Sequence, residues 1–213
     1  MEASGRYSRD ESNFDMKKLT GILLLLMFTL PAARAELVTG TDEQTQLPFW
    51  EWRTPVLSVR FVQRLPDQSR AYFAGRGFES DEVKLIAEYC IFQTVFKNVS
   101  PANSKQVIEY DLNEFAILHK GQQLSLKKRE DWQAIWEKRK VKPAQKIAFE
   151  WSLLPTRQRY QPADYNWGMS VFPLKHGSVF DLRLTWKVNG KPQQATIKNM
   201  QCAKDVYIAP ATE

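Results

Sequence analysis

Hydrophobic and polar residues alternate along several segments of the chain, which is the pattern of β-strands with one buried face. The alternation is clear in residues 56–65, 147–154 and 179–188. Asn189-Gly190 follows the last of these segments and favours a tight type I′ turn. Residues 191–200 are therefore predicted to return as the antiparallel partner of 179–188.

Helical spacing of apolar residues appears in the middle of the chain. Pro66 is predicted to open a short helix that ends near Gly75 to Gly77, and residues 129–139 are predicted to form another. Between them, Ser80 is a candidate N-cap for a helix whose buried stripe is spaced at i, i+3, i+4 and i+7. That stripe consists of Val83, Ile86, Ala87 and Cys90.

Successive strands without crossover helices define the expected fold class. The pattern predicts a β-rich α+β protein built on an antiparallel sandwich, immunoglobulin-like in outline, with two or three helices packed on an edge or end. An outline of this kind hosts many unrelated functions, so it implies none by itself.

The amino-terminal region indicates export. Residues 16–35 combine a basic start, a short apolar run and the small-x-small sequence Ala33-Arg34-Ala35, which together predict a signal peptide cleaved after Ala35. The apolar run is shorter than the roughly 20 residues that cross a bilayer. We therefore expect a periplasmic protein, with membrane anchoring as the alternative if the signal is retained.

The same reasoning divides the chain into three parts. Residues 1–15 are polar and precede a complete signal that starts with its own methionine, so they are interpreted as a mis-started or disordered extension. Residues 36–213 are predicted to form a single mature β-rich domain.

Charge and motif content exclude several classes of function. The 30 Lys and Arg residues against 24 Asp and Glu give a net charge of +6, which is too small to predict a nucleic-acid partner for an exported chain. The sequence contains no Gly-x-Ser-x-Gly, His-Glu-x-x-His, phosphate-binding loop or dinucleotide fingerprint. A non-catalytic protein is therefore expected, with a hydrolase of unrecognised site as an alternative.

The two cysteines, Cys90 and Cys202, are predicted to form a disulfide. Two cysteines in an exported protein usually pair, and the Cys-x-x-Cys spacing of redox-active pairs is absent. If Leu182 lies opposite Ile197 in the predicted hairpin, Met200 and Cys202 face away from the sandwich interior unless a bulge intervenes or the strand has ended. The helix that carries Cys90 would then cover them.

A soft-metal site is the alternative use of these sulfur atoms. Met169, His176, Met200 and Cys202 are the candidate ligands, because soft sulfur donors select Cu(I). This alternative predicts a periplasmic copper carrier or chaperone. No histidine follows Cys202, which argues against a blue-copper loop, so we expect no cofactor.

Two surfaces are candidates for partner binding. Residues 153–169 are predicted to form a long loop that presents side-chain types enriched at interface hot spots. They are Arg157, Arg159, Tyr160, Tyr165 and Trp167. The alternative is that these aromatics fold back onto the sandwich edge. Residues 127–146 are rich in Lys and Arg and could contact an anionic surface, although such a segment is more often the solvated side of a helix.

These observations together favour an exported binding or assembly accessory protein. The expected partner is a periplasmic or membrane-attached protein.

Overall fold

Two antiparallel sheets pack face to face in the computed structural model, which describes residues 35–206. The predicted extension at 1–15 and all but the last residue of the predicted signal lie outside the described residues. Sheet A has five strands in the order β1-β2-β3-β4-β9. Its strands are β1 (Glu36–Thr41), β2 (Pro48–Arg53), β3 (Leu57–Arg64), β4 (Cys90–Asn98) and β9 (Tyr165–Phe172).

Sheet B is built around one long central strand. This strand, β10, pairs with β11 on one side, while β5 and β6 share its other side one after the other. The outer edge of the sheet is formed by β8, next to β5, and β7, next to β6. The strands are β5 (Ile108–Asp111), β6 (Ala116–His119), β7 (Gln122–Leu124), β8 (Arg157–Tyr160), β10 (Val179–Val188) and β11 (Lys191–Gln201).

Four α-helices accompany the sheets within residues 35–206. They are α1 (Pro66–Ala74), α2 (Ser80–Ala87), α3 (Gln133–Lys138) and α4 (Pro143–Ser152). All four lie in the two connections β3 to β4 and β7 to β8. The β-rich α+β sandwich expected from the sequence is therefore confirmed, and its helices cover the outer face of sheet A along β4 and the edge strand β9.

Two separate hydrophobic cores stabilise this arrangement. The larger core lies between the sheets and includes Phe61 and Phe92 from sheet A and Leu182 from sheet B. The second core lies between the helices and sheet A, where Trp132 and Trp136 stack with ring centroids 5.0 Å apart. Trp136 lies on α3 and Trp132 in the turn just before it, and both side chains are buried in the second core.

The expectation of a strand at 147–154 is wrong, because residues 143–152 form α4. Pro143 occupies the first helical turn, where its fixed φ suits a helix start, and the side chain of Gln145 accepts a hydrogen bond from the Lys142 N–H at 3.0 Å. Phe149 is fully buried against the tryptophans, whereas Ile147 is 51% exposed and Trp151 82% exposed. The alternating apolar residues of this segment therefore point in different directions around a helix.

The hairpin of β10 and β11 forms with the predicted register. Leu182 lies opposite Ile197, as expected, but the register shifts before Phe180, which lies opposite Met200. Asn199 adopts a positive φ of 56° at this bulge, and its N–H donates to Asp181 Oδ1 at 2.9 Å. The bulge returns Met200 to the sandwich interior. The expectation that Met200 and Cys202 face an outer layer is therefore wrong.

The predicted disulfide between Cys90 and Cys202 is confirmed, with Cα atoms 5.3 Å apart. Its expected setting is wrong, because α2 ends at Ala87 and Cys90 is the first residue of β4. Both cysteines are buried in the core between the sheets. The bond therefore links sheet A directly to the chain that leaves β11 of sheet B.

Candidate functional site

The predicted partner-binding loop is in fact two strands that belong to different sheets. Residues 157–160 form β8 in sheet B, and the chain then turns through residues 161–164 and enters β9 in sheet A. Of its three predicted aromatic side chains, Tyr160 packs in the core between the sheets, whereas Tyr165 and Trp167 are exposed. The five predicted side chains are consequently divided among two opposite surfaces and the core.

Arg157 and Arg159 lie on the outer face of sheet B, where each has an acidic partner. Arg157 Nε lies 2.6 Å from Asp111 Oδ2, and Arg159 Nη1 lies 3.1 Å from Glu109 Oε1. Burial would raise the pKa of Asp111, but hydrogen bonds from the Asn113 N–H and from Arg157 hold this pKa below its ordinary value. These four residues line a depression of ≈ 550 Å³ whose charges already neutralise one another.

Tyr160 cannot contribute to a surface, which corrects its assignment as a partner-binding residue. Its side chain is 1% exposed and stacks on Phe96 at a centroid distance of 5.3 Å. Burial raises the pKa of Tyr160 above the usual tyrosine value. Tyr160 therefore anchors the crossing segment between the sheets.

Tyr165 and Trp167 are exposed on the outer face of sheet A, by 64% and 59% respectively. In the sheet register, Trp167 lies beside Val95 and Tyr165 beside Lys97. The helices end before these positions, so this corner of sheet A is uncovered. Tyr165 and Trp167 are therefore the predicted aromatic side chains that a large ligand can reach.

A second pair of exposed apolar side chains, Ile147 and Trp151, lies on α4, and the chain that leaves α4 is bridged to β9. Leu153, which follows α4, forms a parallel bridge with Met169 of β9, and the Leu154 N–H donates to the Met169 carbonyl at 3.0 Å. Ile147 and Trp151 precede this bridge on α4, and Tyr165 and Trp167 precede it on β9. In a parallel bridge the two segments run in the same direction, so both pairs lie on the amino-terminal side of the bridged residues. We call Ile147, Trp151, Tyr165 and Trp167 the aromatic edge.

Gly168 allows the close approach that brings α4 to β9. A Cβ atom at this position would lie 2.5 Å from the Leu154 nitrogen and 2.7 Å from the Leu153 carbonyl carbon. Both are backbone atoms and cannot rotate away. The residue between Trp167 and Met169 is therefore restricted to glycine by its neighbours.

A groove of ≈ 730 Å³ crosses the outer face of sheet A beside this edge. Its floor is formed by alternate residues of β3 and β4, and its walls by α1 and by the turn between β1 and β2. We call it the sheet A groove. Its lining includes Asp42, Gln44, Arg60, Val62, Arg64, Gln68, Tyr72, Gln93 and Val95.

One end of the sheet A groove is electrostatically neutral. Arg60 lies 2.8 Å from Asp42 Oδ2 and 3.3 Å from Glu51 Oε2, and its guanidinium covers the ring of Phe49 at 3.7 Å. Burial by itself would raise the pKa of Glu51, but hydrogen bonds from Arg53 and Ser58 outweigh burial and lower it. Arg60 is therefore fixed in position with its charge already compensated.

The other end carries an uncompensated positive charge at Arg64. Its Nη2 donates to the Gln68 carbonyl at 3.1 Å, and its guanidinium faces the ring of Tyr72 at 4.9 Å. Its Nε is buried and has no hydrogen-bond partner in residues 35–206. Burial lowers the pKa of Arg64, and the nearby charge of Arg76 acts in the same direction. From sequence, Arg64 was only one of the polar residues of an alternating strand.

The structure does not bring the four candidate copper ligands together. Met169 lies in the core under the helices, whereas Met200 and Cys202 lie in the core between the sheets. The sulfur of Cys202 is already bonded to Cys90. His176 Nε2 lies 2.8 Å from the Ala87 carbonyl oxygen. These positions contradict a shared site for the four residues.

The basic segment 127–146 folds into α3, the start of α4 and their connections. Some of its charges are compensated: Lys128 Nζ lies 3.4 Å from Asp131 Oδ2, and Arg139 Nη1 lies 3.7 Å from Glu82 Oε1. Lys138, Lys140 and Lys142 are exposed. Contact with an anionic surface stays a prediction for this segment.

Across residues 35–206, no helix has both the length and the apolar character that crossing a bilayer requires. No protein-family model matches the chain, and no curated protein matches it significantly. Among solved structures, the chain is similar to the crystal structure of a candidate lipoprotein from Bacillus subtilis. The two are 14% identical with a TM-score of 0.37, and the match covers 70% of this chain and 38% of that one. A likeness this weak carries no argument about function.

Proposed function

We propose that this protein is an exported binding or assembly accessory protein that engages a periplasmic or membrane-attached partner protein. The aromatic edge and the adjoining sheet A groove form its partner-binding face. The observation that carries the proposal is the exposure of Trp151 and Trp167 on neighbouring rigid elements.

The exposed aromatic side chains of the aromatic edge are expected to be buried against a partner in the functional complex. Exposed apolar groups are thermodynamically unfavourable in water, and clustered ones mark interaction sites more often than isolated ones. Tryptophan and tyrosine also dominate interface hot spots, since they bury a large area with few rotatable bonds. Trp167 sits on a strand and Trp151 on a helix, so a partner meets them with little loss of conformational entropy.

Export rests on two independent observations. Residues 16–35 have the organisation of a signal peptide, and the disulfide between Cys90 and Cys202 is of the kind that persists in oxidising compartments. An accessory role fits a rigid sandwich whose exposed features are apolar and charged surfaces.

Site-specific photo-crosslinking in cells tests the proposal. A photoreactive amino acid at Lys97, which neighbours Tyr165 in the register and is exposed, samples the space in front of the aromatic edge. The matched control places the same amino acid at Lys187, on the outer face of sheet B. We expect one defined protein adduct from position 97, no such adduct from position 187, and loss of the adduct when Trp167→Ala is added.

Two outcomes would overturn the proposal. Equal adducts from both positions would show that the aromatic edge confers no selectivity. Absence of a protein adduct from position 97, combined with Trp167-dependent sedimentation with anionic vesicles, would assign the aromatic edge to a lipid surface instead. Because Trp167 is more than half exposed, its replacement by alanine is expected to leave the thermal midpoint nearly unchanged.

A further inference from the structure

Arg64 stands apart from the other arginines of sheet A because its charge has no acidic partner in the described part of the chain. Arg53 and Arg60 are both paired with Glu51, whereas no carboxylate within residues 35–206 lies in ion-pair distance of Arg64. A partly buried charge without a counter-ion is costly for a folded protein. Ionisable groups perturbed by burial cluster at functional sites, so an arginine of this kind in a groove is a candidate ligand contact.

We propose that the sheet A groove binds an extended peptide segment of the partner through an aspartate or glutamate that pairs with Arg64. This inference rests on the proposed function and specifies which chemistry the partner presents. The bond formed is an ion pair, with the carboxylate accepting hydrogen bonds from the guanidinium.

The surroundings of Arg64 hold its guanidinium ready for a planar anion. Gln68 fixes one nitrogen through its carbonyl, and Tyr72 supports one face of the guanidinium. Arg76 packs on the same tyrosine ring at 3.3 Å and adds a second positive charge nearby. A guanidinium fixed in this way matches the two oxygens of a carboxylate better than a flexible ammonium does.

The dimensions and lining of the groove favour a peptide. Arg60 and Arg64 mark its two ends on β3, and four residues of a strand span about 13 Å, so an extended segment of about four residues fits between them. Val62 and Val95 supply apolar floor between the two ends. Gln93 on the floor and Gln44 on the wall carry amide groups, which match the N–H and C=O groups of a peptide backbone.

Charge also distinguishes this groove from the depression on sheet B. There, Arg157 and Arg159 are each compensated by a carboxylate of the neighbouring strand. An acidic ligand would have to displace those carboxylates, whereas at Arg64 no carboxylate of residues 35–206 competes with it. The anion preference is therefore assigned to sheet A.

The test is selection of a phage-displayed library of random seven-residue peptides on the purified chain 36–213. Parallel selections use wild type, Arg64→Gln, Arg64→Lys and the control Lys97→Gln, which removes one positive charge from the same face outside the groove. We expect wild type and Lys97→Gln to enrich peptides with Asp or Glu at one fixed position. With a synthetic selected peptide, Arg64→Gln is expected to bind about 10- to 100-fold more weakly, and Arg64→Lys to fall between.

The outcomes separate this inference from the proposed function. Three outcomes would overturn the role of Arg64. The selected peptides could lack Asp or Glu at a fixed position, the selected peptide could bind wild type and Arg64→Gln with equal affinity, or selection on wild type could enrich no peptide. Retention of the crosslink at position 97 in Arg64→Gln would leave the proposed function standing while this inference falls. Loss of peptide binding in both Arg64→Gln and Arg64→Lys, with thermal midpoints far below wild type, would show that Arg64 is a structural residue and would also overturn it.

Discussion

Removing the disulfide tests how much of the stability depends on the covalent link between the two sheets. The change is the double substitution Cys90→Ala and Cys202→Ala. Alanine is chosen because both positions are almost fully buried, where a serine hydroxyl would lack a hydrogen-bond partner and add its own destabilisation.

The expected loss follows from the length of chain that the bond closes. The two cysteines are 112 positions apart, and the entropy of closing such a loop in the unfolded chain corresponds to about 5 kcal/mol at 25 °C. The small void left by two sulfur atoms adds about 1 kcal/mol. Since domains of this size are stable by about 5–15 kcal/mol, the variant is expected to retain its fold with a small margin or to lose it.

Urea unfolding followed by tryptophan fluorescence measures this loss. Wild type reduced and refolded in dithiothreitol is the matched control, because it lacks the bond but keeps both sulfur atoms. Its free energy of unfolding is expected to exceed that of the double variant by about 1 kcal/mol, and both unfolded states should expand, which raises the urea dependence. A loss below about 2 kcal/mol in the double variant, or two titratable thiols in undenatured wild type, would refute the reasoning.

Two further predictions concern α4 and the neutral end of the sheet A groove. In urea unfolding, Phe149→Ala is expected to lower the free energy of unfolding by about 3–5 kcal/mol and Trp151→Ala by less than about 0.5 kcal/mol, because only Phe149 is buried. Similar losses in the two variants would favour a strand with both side chains inward. Although burial by itself would raise the pKa of Glu51, hydrogen bonds from Arg53 and Ser58 hold this pKa below its ordinary value in the folded state. The unfolded chain therefore takes up this proton first as the pH falls, and folding stability decreases. Urea midpoints from about pH 6 to pH 3 should therefore fall less steeply in Glu51→Gln than in wild type, and parallel curves would contradict the assignment.

Local sequence patterns were sufficient to predict the structure of segments in which one interaction dominates. The Asn189-Gly190 turn fixed the register of β10 and β11, and Pro66 marked the start of α1, because each acts through backbone geometry alone. The disulfide was predictable from cysteine number and expected compartment. Its position between the sheets was not, because the β-bulge at Asn199 reverses the side-chain direction and leaves no clear sequence signal.

Tertiary contacts decided the segments that sequence patterns described wrongly. The alternation of apolar residues in 147–154 fits a strand. In the folded protein the segment is instead a helix that buries Phe149 against Trp132 and Trp136. The segment 153–169 appeared irregular because β8 has only four residues and because β8 and β9 join different sheets.

The candidate site was only partly visible in the sequence for the same reason. Tyr165 and Trp167 stood out by residue type. The groove could not be predicted, because Arg64 and Tyr72 meet only after α1 folds over sheet A.

The disulfide also determines how the protein responds to a pulling force at its partner-binding face. Cys90 lies opposite Phe172 in the register of β4 and β9, so the bond is anchored on β4, beside the end of the strand that carries Trp167. A load applied at Trp167 would first peel β9 from β4 one hydrogen bond at a time, starting from Tyr165. Because the disulfide is attached to β4 and not to β9, it would keep β4 joined to the chain that leaves β11 while β9 separates. The sandwich is thus built so that tension from a bound partner unzips one edge strand while the two sheets remain joined.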